Sequence, residues 1–294
     1  MSFVNCVETS SHLLNDYYKY MKTLMDPFNI SLDSGSLVAI KINLCFFRSF
    51  ETGATTDPRI LVALLKVLKD YQKGLRVKVF ESDATATKAD LLFRWLGIKD
   101  VCEKYEADVV NISKEPFVRR FVEKAGLLRN QKIPRLLDEA DLFITLAKMK
   151  THSLTKISCA LKNQYGCILE KNKSKYHKCL DQVIVDVNCG MRSDISIVDG
   201  VIAMEGVNGP VYGKPRIFNK LLCSFDPVAV DAASAFLMGF TPHKIKHLKM
   251  AQKVGLGTLD FRFGEDFQIK RENFDFSWIE EVYIKLGNRI KSVF

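Results

Sequence analysis

The stretch DLFITLAKMKTH, from Asp141 to His152, decides the fold. Its first half is a run of branched and aromatic apolar residues, the pattern of a strand buried on both faces. Residues two apart share a face of a strand. Leu142, Ile144 and Leu146 therefore lie on one side with Lys148, Lys150 and His152. That face turns from apolar to cationic as the strand leaves the core. The change is expected where the carboxyl end of a strand opens on a cleft.

The same stretch begins the most basic part of the chain. Leu146 to Lys178 holds eight lysines, no arginine and one acid, Glu170, in a protein whose formal net charge is +9. Ammonium groups this dense repel one another, and a plain solvated surface would intersperse acids. A site for a multiply charged anion explains the bias, with Lys148, Lys150, Thr151, Lys162 and Asn163 as binding candidates. Lys171, Lys173, Lys175 and His177 add to that bias, although Lys171, Lys173 and Lys175 also fit a mobile basic loop. Clustering and partial burial both lower a lysine's pKa, which brings it into range for proton transfer. His152 and His177 already titrate near neutral pH.

Working outward, strands and helices alternate. SLVAIKINLCFF (36–47) reads as a buried strand. TTDPRILVALLKVLKDYQKG follows as a helix, with Asp57 as cap, Pro58 at its first position and Gly74 at its end. LRVKVFESD and ADVVNIS read as strands, with helices around residues 88–105 between them. Residues 115–139 suggest a hairpin and a short helix from Pro134. DQVIVDVNCGM is helical, SDISIVDGVIAME a strand, and LLCSFDPVAVDAASAFLMGF a strand and then a helix capped by Asp226. A further helix covers roughly 242–254. At the start, a lead-in and an amphipathic helix over 10–25 are expected. The alternation predicts an α/β fold with a layered mixed or largely parallel sheet, helices on both faces, and one large domain in one or two lobes. The core spans about 36–257. In such folds ligands sit beyond the carboxyl ends of the strands.

Those ends carry matching groups. Lys41 and Asn43 flank Ile42 and share a face. Thr55, Thr56 and Asp57 stand at a helix start, where free N–H groups attract anions; capping alone also accounts for Asp57. Glu81 and Ser82 end a strand. Asp199 and Glu205 precede a loop with Gly206, Gly209 and Gly213, which permits either close approach to a ligand or tight turns. Asp231 reads as structural.

The composition is 47% apolar, and no segment approaches 18 uninterrupted apolar residues, so no membrane span is expected. The first residues lack a basic start followed by an apolar run, so no secretory signal and a cytoplasmic location are expected. The eight cysteines then read as reduced thiols. None forms a CxxC pair, and their gaps match neither a ferredoxin nor a zinc ribbon. An iron–sulfur cluster or a divalent metal is therefore unsupported by spacing, and no metal ligands are assigned. SWIEEVYIKLGNRIKSVF places Trp278, Val282, Leu286 and Ile290 four apart. This predicts a helix over 277–291 that docks on its own domain or forms a homodimer contact.

The ordered motifs KINL (41–44), TTDPR (55–59), ES (81–82), AKMKTH (147–152), ALKNQYG (160–166), His177, VDGVIAMEGVNGP (198–210) and DPVAVDA (226–232) resemble the bacterial and archaeal family called domain of unknown function 362, DUF362. The resemblance implies a compact α/β domain whose motifs converge on one site, and it supplies no reaction. Many members carry ferredoxin-like cysteine motifs, which this chain lacks. The family is also distantly similar to nickel-pincer lactate racemases, acid–base enzymes on small hydroxy acids, but this chain has no run of adjacent histidines.

Three readings follow. The first is an enzyme on a small carboxylate or phosphate ester. Lys148, Lys150 and Lys162 bind its charge, Lys150, His152 or His177 moves protons, and Glu81 or Glu205 is the opposite partner. The second is a metal or redox protein in which Cys45, Cys159 and Cys167 meet near the site. The third is nucleic-acid binding, which the charge permits but which the absence of arginine and the scarcity of aromatic residues in the basic stretch disfavour.

Overall fold

A computed structural model describes residues 1–206, 209–265 and 267–276. The predicted helix over 277–291, and its dimer contact, lie outside the described residues.

The chain opens with a strand, β1 (Ser2–Glu8), then α1 (Leu14–Met25) and β2 (Leu37–Lys41). Next come α2 (Pro58–Tyr71), β3 (Arg76–Glu81), α3 (Ala89–Trp95), α4 (Ile98–Lys104) and β4 (Ala107–Asn111). A hairpin of β5 (Phe117–Phe121) and β6 (Asn130–Pro134) leads to α5 (Arg135–Glu139). The central strand β7 (Leu142–His152) turns back into β8 (Lys156–Ser158) and a one-turn helix, α6 (Ala160–Asn163). α7 (Leu180–Gly190), β9 (Ile195–Glu205), β10 (Lys214–Ser224), α8 (Pro227–Leu237), α9 (Lys246–Lys253) and β11 (Phe261–Phe263) follow.

The sheet runs β11-β1-β10-β9-β7-β2-β3-β4, with β8 hydrogen-bonded to β7. β4, β3, β2, β7 and β9 are mutually parallel neighbours. β10 is antiparallel to both β9 and β1, while β11 is parallel to β1. The architecture is thus α/β with a mixed, mostly parallel sheet. Two apolar layers cover it. Leu142, Ile144 and Leu146 of β7 pack with α1 to α4, and Phe143 and Met149 pack on the other face with α6 to α9. The period-2 alternation of one strand feeds both cores.

Capping holds where it was expected. Asp57 and Asp226 each accept N–H bonds at the starts of α2 and α8, with proline at the first helical position. The opening lead-in is corrected: SFVNCVE is a strand, and α1 begins at Leu14, without a side-chain cap. β2 is shorter than its apolar run suggests. The chain leaves the sheet at Ile42, which frees Asn43 to Cys45 to line a cavity.

Candidate functional site, a lysine-lined cavity

A cavity of about 310 Å³ lies beyond the carboxyl ends of β2, β3 and β7. Its wall includes Lys41, Asn43, Cys45, Glu81, Ser82, Lys150, Lys162, Asn163, Tyr165, Lys173, His177 and Pro210. Among the described residues, four lysines thus face one space with a single carboxylate in the wall.

Each strand end delivers its residue in a fixed pose. Lys41 Nζ lies 2.6 Å from Glu81 Oε1 and also donates to the Ile42 carbonyl at 2.6 Å. Glu81 accepts further from Leu44 N at 3.0 Å and Ser82 N at 2.9 Å. Three donors thus fix the Glu81 carboxylate in the cavity wall. Lys150 has no carboxylate. Its Nζ donates to Asn43 Oδ1 at 2.6 Å and to the Ala54 carbonyl at 2.8 Å, with Cys45 Sγ at 3.8 Å. Burial lowers its pKa. Asn43 Nδ2 passes the chain on to Asn163 Oδ1 at 3.0 Å, and Asn163 Nδ2 donates to Thr145 Oγ1 at 2.8 Å. Amide dipoles thereby replace a counter-ion in orienting Lys150.

Lys162 and Asn163 sit on α6, a helix too short to stand alone. Asp231, fully buried on α8, anchors it by accepting Ala160 N at 2.7 Å and Leu161 N at 3.0 Å. Lys162 makes no hydrogen bond or ion pair among the described residues. Its Nζ stands 4.4 Å from the centroid of the Tyr165 ring. Burial, then Lys150, push its pKa down to about 8. Lys173 is also held at about 8, chiefly by burial. Its Nζ donates to Ser82 Oγ and to the Gly166 carbonyl, the latter at 3.0 Å. His177 stands at the exposed rim, its pKa lowered by partial burial and by Lys162.

Several predicted residues are placed elsewhere. Lys148 points to Asp199, 2.8 Å away, and both are almost fully buried; β7 is irregular in register against β9 between Lys148 and Lys150. Glu205 pairs with Arg216 at 2.7 Å and does not line the cavity. His152 is buried outside the lining, and its Nδ1 accepts the Leu154 N–H at 3.1 Å. Burial, with Lys162 and Lys150, lowers its pKa well below the usual range.

The predicted anion cradle at the start of α2 is used internally. Asp57 fills it and binds the Arg59 guanidinium at 2.7 Å. Thr56 Oγ1 accepts from Asn43 N at 2.8 Å, and the Thr55 hydroxyl donates to the Arg48 carbonyl at 2.8 Å. The Thr151 hydroxyl donates to the Gly206 carbonyl at 2.6 Å. Gly209 lies against Thr151, where a Cβ would stand 2.2 Å from its carbonyl oxygen. The loop glycines therefore serve backbone against backbone.

Of the three lysines that also fit a mobile loop, Lys173 is buried and lines the cavity. No local signal separates it from Lys171 or Lys175. Cys45 lines the cavity, whereas Cys159 and Cys167 are buried in the core. Among the described residues, no group of three or more His, Cys, Asp or Glu side chains is placed to share a metal ion.

An α/β protein with a cationic cavity at the carboxyl edge of its parallel strands is the class these observations define. The chain belongs to the family described as domain of unknown function DUF362, whose model matches residues 38–236. A thylakoid-associated protein of Synechocystis sp. is 27% identical over 144 residues, which is 47% of this chain and 44% of that protein. The chain thus spans less than half the length of that curated relative. Among solved structures, the lactate racemase apoprotein from Thermoanaerobacterium thermosaccharolyticum aligns over 85% of this chain and 56% of its own, with a TM-score of 0.47 and 14% identity. No described helix is long and apolar enough to cross a membrane.

Proposed function

We propose that this protein is an enzyme acting on a small anionic substrate, a carboxylate or phosphate ester, through lysine and histidine acid–base chemistry. One observation carries the reading: among the described residues, four lysines converge on a cavity of about 310 Å³ whose wall holds only one carboxylate, already bonded to Lys41. Such a field attracts anions and strengthens as water is excluded. Lys150 and Lys173, fixed by neutral acceptors, keep their charge for a ligand. Lys162 and His177 supply groups able to take or give a proton near neutral pH. Glu81 fixes Lys41. The reaction class is isomerisation, proton abstraction beside a carbonyl, or elimination.

The test is calorimetric titration of phosphate and lactate into the parent and into Lys162→Gln. The parent should bind at least one of them, and the variant should bind about tenfold more weakly, the size of one charge-assisted contact. Its melting temperature should barely change, since among the described residues Lys162 makes no hydrogen bond or ion pair and meets only the Tyr165 ring. Equal binding by parent and variant would refute this assignment.

A metal or iron–sulfur role draws support from Cys45 alone. Cys159 and Cys167 are buried away from the cavity lining, where they do not meet Cys45 in one site. Iron analysis of anaerobically purified protein decides it. Nucleic-acid binding fares similarly. Lys148, Lys150 and Lys173 are buried, whereas backbone phosphates are met by exposed cations.

A further inference from the structure

The four cavity lysines are not equivalent. Lys41 is neutralised by Glu81. Lys150 gives two of its three N–H donors to Asn43 and Ala54, and Lys173 two of its own to Ser82 and Gly166. Lys162 has no such bond among the described residues, and its Nζ lies against an aromatic ring inside the cavity. An amine without acceptors, crowded by cations and backed by an apolar wall, is in the setting that makes lysine a nucleophile. The other lysines meanwhile surround it with positive charge suited to a carboxylate.

From this geometry, and resting on the anionic-substrate reading above, we infer that Lys162 forms a Schiff base with the carbonyl of a small 2-oxo carboxylate. The step balances without an external oxidant or reductant. The neutral Lys162 Nζ attacks the carbonyl carbon, and a proton moves from nitrogen to oxygen to give a carbinolamine. The C–O bond then breaks and the oxygen leaves as water, taking a proton from His177 or solvent. A protonated C=N bond to Lys162 remains. It withdraws electrons from the neighbouring carbon, so a proton there, or a group bonded there, departs more easily. This is the electronic demand of the isomerisations and eliminations proposed above. The substrate carboxylate lies against Lys150 and Lys173. Because the pKa of Lys162 is about 8, its free-amine fraction at neutral pH exceeds that of an ordinary lysine by roughly two orders of magnitude.

The test is reductive trapping. The folded full-length protein is incubated with pyruvate or glyoxylate and cyanoborohydride, and adducts are mapped by peptide mass spectrometry. Lys162→Arg, which keeps the charge but is not nucleophilic, is treated in parallel, with melting curves of both proteins in each probe. A single saturable adduct at Lys162 is expected, suppressed by excess phosphate. Lys162→Arg, folded as the parent is, should lose it at least about tenfold, in keeping with the amine-fraction advantage. Two results overturn the inference. If pyruvate raises the melting temperature yet no adduct forms at Lys162, the Schiff base is wrong while the anion site stands. If neither pyruvate nor phosphate shifts the melting curve and labelling is scattered over surface lysines, both readings fall.

Discussion

At the scale of single residues, two buried ion pairs differ in what they hold. Lys148 with Asp199 is sealed in the core, and Lys41 with Glu81 forms part of the cavity wall. Breaking a buried pair leaves an uncompensated charge, so Asp199→Ala should lose about 3–5 kcal/mol in urea unfolding. The double variant Lys148→Met with Asp199→Leu should regain most of that loss, because it removes both charges. Gly166 has a different sensitivity. A Cβ there would lie 2.8 Å from Lys41 Cε and 3.0 Å from Glu81 Oε1. Gly166→Ala should therefore displace the pair and weaken phosphate binding in calorimetry by about tenfold, with a smaller loss of stability. Lys41 and Glu81 are legible in the sequence as residues at strand ends, but their pairing is not. Lys148 was misread because residue type and alternation place a side chain on a face but do not name its partner. Asp199, 51 positions later, is brought to it only by the parallel pairing of β7 with β9.

At the scale of elements, β7 and α6 carry the site. β7 was readable because its apolar run is long and its lysines keep period two. α6 has a single turn, and no helical periodicity can show in four residues. It exists because Asp231 supplies acceptors to its first N–H groups. Asp231→Ala leaves those donors buried without partners, which costs about 1–3 kcal/mol. The same variant lets Lys162 and Asn163 drift, so its phosphate affinity should fall beyond what unfolding explains. Chemical denaturation beside calorimetry separates the two effects. Asp57 and Asp226 were legible as caps because each stands before a proline. β1 escaped notice because short mixed alternation such as SFVNCVE gains its meaning from partner strands more than two hundred residues away.

At the scale of the whole molecule, buried titratable groups set the pH response. His152, His177 and His247 all have lowered pKa values, burial being the first cause for each. The unfolded chain takes up protons as pH falls through about 6.5, while the native state resists until lower pH. Stability from these groups is therefore present above that value and lost on acidification. Asp231, raised to about 7 by burial, acts in the opposite sense over the same range, so the histidine share is read by difference: the melting temperature should fall less, or rise more, from about pH 7 to pH 5 in His152→Gln than in the parent. Anion binding has its own limit on the alkaline side. Lys162 and Lys173, both at about 8, lose charge above it, so phosphate affinity should decline from neutral pH toward pH 9. The position of β1 also bears on how the chain assembles. Residues 2–8 hydrogen-bond to segments near 220 and 262. On a ribosome, this strip emerges long before its partner strands, with its backbone amides answered by water until they follow. The parallel strands that carry the cavity do not depend on it for pairing. Synthesis can thus build the pocket side early and stitch the opposite margin shut only once β10 and β11 have emerged.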